Sequence, residues 1–141
     1  LEAAVEKGFR QILLVGHIGK LVKLGIGMSN THSSFGDGRM EALAACGIEA
    51  GVALPVLQAL LQCATTDAAL HVLHKAKCLT ETMNALKHRI LSALNRMVPD
   101  EVELGFICFT SDAFFQGILM ESDNAQRLMA NWKAEGEAKH G

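Results

Sequence analysis

Residues 11–16, Gln11-Ile12-Leu13-Leu14-Val15-Gly16, running on into His17-Ile18-Gly19-Lys20, decide the fold. A short apolar run with β-branched members, closed by glycine, is the pattern of a strand buried on both faces. Beyond it, Ile18 to Met28 spaces Leu21, Leu24, Ile26 and Met28 around Lys20 and Lys23. That spacing predicts a helix weakened by Gly25 and Gly27. Strand, glycine turn and helix in this order open an α/β protein.

Working outward, Leu1 to Gly8 reads as the last turns of a helix closed by a C-cap glycine, with no initiator Met and no N-cap, as expected of a fragment or processed chain. Residues 29–38 (SNTHSSFGDG) are loop by composition. Arg39 to Ala50 resumes helical spacing with Met40, Leu43, Ala44 and Ile48, and Pro55 suits the first turn of a helix running to about Gln62. Thr65-Thr66-Asp67 is a capping cluster before a helix over Ala68–Lys77. Thr80 and Glu81 open a long helix, Glu81–Met97, which Pro99-Asp100 ends. Glu101 to Thr110 (EVELGFICFT) begins by alternating and becomes apolar, a second strand. Phe115 to Met120 is a candidate third, and a last helix is expected from about Asp123 to Glu135. The expected fold is α/β, with layered helices around a small, mostly parallel sheet. Two or three strands are few for a stable sheet, so strands from elsewhere are expected to complete it.

At 141 residues, 50% hydrophobic and 20% charged, the chain can bury a working core and is not disordered. Aromatics make up 5%, so Leu, Ile, Val, Ala and Met must fill that core, and the six methionines read as packing. A formal net charge of −2 argues against a nucleic-acid partner, and no apolar run or signal pattern suits a membrane or secretion. Cys46, Cys63, Cys78 and Cys108 form no CxxC pair, so they are expected as buried small hydrophobes rather than metal or disulfide ligands. His71 and His74, three apart, share a helix face and would suit a metal, but no third ligand stands near, and a surface or half-buried face is the favoured reading. His88 and His140 are expected at the surface.

Two polar islands interrupt this apolar chain. Gly16-His17-Ile18-Gly19-Lys20 follows the strand directly, where α/β proteins collect ligands and a helix start offers backbone N–H groups. Gly16 and Gly19 would allow close backbone approach and Lys20 adds charge. The spacing is neither a Walker loop nor GxGxxG, and a tight turn with a solvated lysine explains it equally well. The second island, Asn30-Thr31-His32-Ser33 with Asp37-Gly38-Arg39, concentrates imidazole, amide, hydroxyl, carboxylate and guanidinium groups on a loop. Helix capping by Asn30 and Asp37 is its plainer reading.

At these islands the sequence resembles the cobalt-precorrin-5B C1-methyltransferases of the CbiD type. The stretches that carry the resemblance are ILLVGHIGKLVKL, NTHSSFGDGRMEALAA, the weaker CATTDAAL, and FICFTSD near Gly117. The resemblance implies a cytoplasmic enzyme of anaerobic cobalamin biosynthesis that moves a methyl group from S-adenosylmethionine to ring carbon 1 of a cobalt-bound tetrapyrrole. It implies no resident metal, cobalt entering only within the substrate. The resemblance also implies that residues 1–141 form one domain, the C-terminal part of a longer enzyme, with a sheet incomplete without an N-terminal half. That half, with its GYTTGxCAAAA-like segment, has no counterpart here, so pairing with it, or self-association, is expected. The family pattern differs at Ser34, usually basic, and at Phe35-Gly36-Asp37, usually V-A-D. A substrate-carboxylate contact from the first of these has no counterpart in Ser34.

Such a reaction asks chiefly for in-line placement of the methyl and the ring carbon, and for exclusion of water, for which Ile18, Leu21 and Phe35 are available. Peripheral carboxylates of the tetrapyrrole call for Lys20, Lys23 and Arg39. His32 is the preferred acid or base, with His17 as ring contact or second proton carrier. Asn30 and Asp37 suit cofactor hydroxyl or amino groups, and Gly16, Gly19, Thr31, Ser33, Thr65 and Thr66 complete the expected binding set. The same loops would also serve a non-catalytic ligand-binding module or a purely structural domain.

Overall fold

The computed structural model describes residues 10–26, 38–115 and 117–140, with Ile26 and residues 134–140 by backbone alone. Strand β1 (Gln11–His17) pairs in parallel with β2 (Glu103–Phe109) along the whole length of both, from Gln11↔Glu103 to His17↔Phe109. Strand β3 (Ile118–Glu121) joins the other side of β2 antiparallel, with a register irregularity between Cys108 and Phe109. The sheet is therefore mixed, in the order β1-β2-β3, and helices dominate the rest.

Central position explains why β2 is buried without interruption from Leu104 to Cys108. Its even-numbered side chains, Leu104, Phe106 and Cys108, enter the main core, where Ile12 and Leu14 of β1 join them. Its opposite face receives the last helix, α6 (Ala125–His140): a Cβ on Gly105 would lie 2.5 Å from Asn124 Oδ1 and 2.8 Å from Leu128 Cδ1. Full burial of β1 on both faces is not met. Val15 is 53% exposed, because β1 is the edge strand and its odd-numbered residues point away from the main core.

The predicted helix over Ile18–Met28 is broken within the described residues. A four-residue α1 (Ile18–Leu21) tightens into a 3-10 turn, Val22–Ile26. Gly25 sits so close to the core that an added Cβ would lie 2.8 Å from Leu86 Cδ1, and its carbonyl accepts a hydrogen bond from Arg89 Nη1 at 2.9 Å. Lys23, in this turn, is buried.

Four further helices build the body: α2 (Arg39–Glu49), α3 (Leu54–Leu61), α4 (Thr66–Lys75) and α5 (Leu79–Asn95). Pro55 stands in the first turn of α3, and Thr65 caps α4 by accepting the Ala68 N–H at 3.1 Å. Lys77, at φ 62°, turns the chain left-handed and stops α4 short of its predicted end. Gly38 is the N-cap residue of α2, in left-handed conformation with no side-chain bond. Leu43, Leu60, Leu70, Leu73, Leu86 and Ile90 are fully buried among these helices, each contributing about 1.5–3 kcal/mol by burial. Arg89 on α5 also pairs with Glu49, tying α5 to the end of α2.

All four cysteines are free thiols. Cys46 and Cys108 are buried in the core, and burial pushes their thiols up to about 11 and about 12, so they act as packing. Met40 and Met83 lie in the same core. Among the described residues no helix is long and apolar enough to cross a membrane.

Candidate functional site

Because β1 and β2 run parallel, their carboxyl ends open on one edge of the sheet, and two turns leave it side by side. His17 and Phe109 are register partners there, and their rings meet edge-on at 5.5 Å and 86°. This is the edge at which open α/β sheets hold ligands.

The first turn is closed by its own side chains. His17 Nδ1 accepts the backbone N–H of Gly19 at 3.0 Å and caps α1, so that N–H does not face a ligand. The glycines are needed for packing. A Cβ on Gly16 would stand 3.0 Å from Leu21 Cγ, and one on Gly19 would stand 3.2 Å from His17 Nδ1 and 3.6 Å from Arg39 Nη1. The guanidinium of Arg39, at the start of α2, therefore lies over the first turn, which brings one residue of the second polar island against Gly16–Lys20. Lys20 is exposed beside it. Lys23 is 5% exposed and lies inside the fold. Asn30, Thr31, His32, Ser33, Ser34, Phe35 and Asp37 fall outside the described residues.

The second turn carries more organisation than its sequence announced. Thr110, 4% exposed, donates its hydroxyl to Asp67 Oδ1 on α4 at 3.0 Å and accepts the Asp112 N–H at 3.1 Å. Asp112 Oδ1 accepts the Phe114 N–H at 2.9 Å, and Oδ2 lies 2.6 Å from His71 Nε2. The Phe114 N–H and His71 together hold the Asp112 carboxyl below the usual carboxylate range. A 3-10 turn, Ala113–Phe115, lays Phe114 and Phe115 against His71 and His74. Gly117, at φ 97°, directly precedes β3, and its carbonyl accepts the Thr110 N–H at 2.9 Å.

The structure thus joins the TTD segment to the TSD segment through Asp67 and Thr110. Thr65 and Thr66, named from sequence, sit at the base of this link: Thr65 uses its hydroxyl as a cap and Thr66 is buried. Asp67 was marked by sequence only in the Thr65-Thr66-Asp67 capping cluster and the CATTDAAL stretch, and Thr110 and Asp112 only within FICFTSD; none was named as a site residue. His71 and His74 do share a helix face, and among the described residues no group of three His, Cys, Asp or Glu side chains could hold a metal ion. The edge has two poles, cationic at Lys20 and Arg39 and anionic at Asp67 and Asp112.

A family model described as "CbiD, C-terminal domain" matches residues 30–123. A cobalt-precorrin-5B C(1)-methyltransferase of Tolumonas auensis is 36% identical over 115 residues, covering 79% of this chain and 30% of the relative. One of Alkaliphilus metalliredigens is 32% identical over 136 residues, covering 96% and 35%. One of Klebsiella pneumoniae is 49% identical over 70 residues, covering 50% and 18%. The chain spans about a third of the length of the first two. No solved structure matches it.

Proposed function

The chain belongs to the CbiD family, whose C-terminal domain it carries, and from that premise we propose that it serves a cobalt-precorrin-5B C1-methyltransferase of cobalamin biosynthesis with S-adenosylmethionine as methyl donor. The observation that carries this reading is the two-pole edge at the carboxyl ends of β1 and β2, formed by the motifs that resemble the family. Lys20 and Arg39 suit the peripheral carboxylates of a tetrapyrrole. Asp67 suits a cationic sulfonium or ribose hydroxyls, since a carboxylate oxygen already holding one hydrogen bond accepts another.

S-Adenosylmethionine would supply an activated methyl group, so the residues' work is placement and exclusion of water. Gly16 and Gly19 let Leu21, His17 and Arg39 close on the turn, giving a rigid wall. His32, with Asn30, Thr31, Ser33 and Asp37 in the segment entering α2, is assigned to substrate contact and proton handling on sequence grounds. Among the described residues β1 is the outer strand of the sheet, and its edge suits pairing with the family's N-terminal part or with a second copy. A cytoplasmic setting belongs to the same reading.

Calorimetry with S-adenosylhomocysteine, on this chain and on a polypeptide of the relatives' full length carrying it, tests the proposal together with a methyl-transfer assay. Binding and transfer by the longer protein are expected. Lys20→Ala should raise KM for the tetrapyrrole roughly tenfold with little change in kcat, as loss of one charged contact would. Binding without turnover would make the domain a ligand-holding module, and neither binding nor transfer would end the reading.

A further inference from the structure

Methylation by a sulfonium leaves a proton to be placed, and the loop after β2 holds a side-chain pair built to take one. We infer that His71, oriented by Asp112, is the proton acceptor of the methyl transfer; this rests on the function proposed above.

The Asp112 carboxylate is fixed on both sides. Oδ1 accepts the Phe114 N–H, the Asp112 N–H donates to Thr110 Oγ1, and Oδ2 meets His71 Nε2 at 2.6 Å. An ionised carboxylate can only accept, so Nε2 carries the hydrogen, and whenever the ring is neutral its lone pair is at Nδ1. Among the described residues Nδ1 has no hydrogen-bond partner. The ring cannot swing freely, since Phe114 and Phe115 lie 5.2 and 5.0 Å from it, tilted by 50° and 49°. Yet the His71 side chain is 45% exposed, on the edge that holds the first turn. Tethering α4 to the loop does not require this pair, because Asp67 and Thr110 already do so. An immobilised imidazole with one committed nitrogen and one open nitrogen is the arrangement of a general base.

The balance closes. The C–S bond of the donor breaks and its electron pair stays on sulfur, which becomes neutral. A C–C bond forms from an electron pair of the tetrapyrrole to the methyl carbon, leaving the ring system one positive charge richer. One proton passes from the ring system to His71 Nδ1 and restores that charge. Asp112, a positioning residue, holds the imidazolium until water removes the proton.

The test uses the full-length polypeptide with cobalt-precorrin-5B and S-adenosylmethionine. His71→Ala should lower kcat about a hundredfold, with KM and S-adenosylhomocysteine affinity unchanged, and free imidazole should restore part of the rate. Asp112→Asn should lower kcat less, without rescue. Independently of activity, 15N NMR at pH 8 should show His71 with hydrogen on Nε2, and a mixture of tautomers in Asp112→Asn. An active parent protein whose His71→Ala variant keeps its rate overturns the inference alone. So does a rate lost through His32→Ala and rescued by imidazole when His71→Ala is not, or a His71 ring with hydrogen on Nδ1. A parent protein that transfers no methyl group sinks the functional reading, and this role with it.

Discussion

The turn after β1 and the loop after β2 start from paired residues, His17 and Phe109, yet they use their polar groups in opposite ways. In the first, the imidazole is consumed locally: His17 turns back on Gly19 two residues away and caps a helix of four residues. In the second, the imidazole comes from another element, and three linked side chains hold it with one nitrogen open. A glycine-flanked histidine is conspicuous in a sequence and can be purely architectural. A histidine in the middle of an amphipathic helix is inconspicuous and can be the better placed. What separates them is whether the local backbone offers the ring a partner.

The contrast can be attacked directly. The largest effect is expected from Thr110→Val, which keeps the shape of a buried side chain but leaves the Asp112 N–H and Asp67 without their shared partner. It should cost about 2 kcal/mol in denaturant unfolding and broaden the NMR signal of His71, whereas His17 should be unaffected. His17→Ala removes one cap and should cost about 1 kcal/mol, leaving His71 unchanged. If both variants disturb both histidines, the two turns are one unit and the contrast fails.

The smallest effect is in acid. Asp112 titrates below its unfolded value of about 3.9, so its stabilising contribution is fully present above roughly pH 4 and is lost as pH falls through the lower folded value. Glu103 and Asp123 are shifted the same way, by Arg127 and Lys87. The informative quantity is therefore the stability difference between the parent and Asp112→Asn, which should shrink as pH drops below about 4. A difference that does not change with pH would mean that the His71–Asp112 contact is not made in solution.

Much of the fold was legible because its signals are local. The apolar run from Gln11 predicts β1 to within its last residue, and Pro55 and Thr65 mark the starts of α3 and α4. The weakening of the helix was legible in Gly25, but the packing of that glycine against Leu86 and Arg89, more than sixty positions away, was not. The burial of Lys23 has no signal in the local pattern either. The exposure of Val15 depends on β1 lying at an edge, which strand pattern does not encode. The site divides in the same way. Gly16, Gly19 and Arg39 were visible as a glycine turn and a polar loop, although their packing against one another was not. The partnership of His71 with Asp112 spans 41 positions and leaves no periodic trace in either segment. Sequence could only report that two histidines share a face.

The parallel ladder carries one more consequence, in time rather than in space. Gln11 and Glu103 are partners across 92 positions, so β1 cannot pair until the chain has been made and gathered almost to its third strand. Closing so long a loop is slow compared with forming the helices between, which depend on near neighbours. The helical body can therefore assemble first, with the turn after β1 still separate from the loop after β2. The turn after β1 and the loop after β2 are set side by side when β2 pairs with β1. A chain that stops short of Phe109 would keep many of its helices but lack Thr110 and Asp112, and with them the hold on His71.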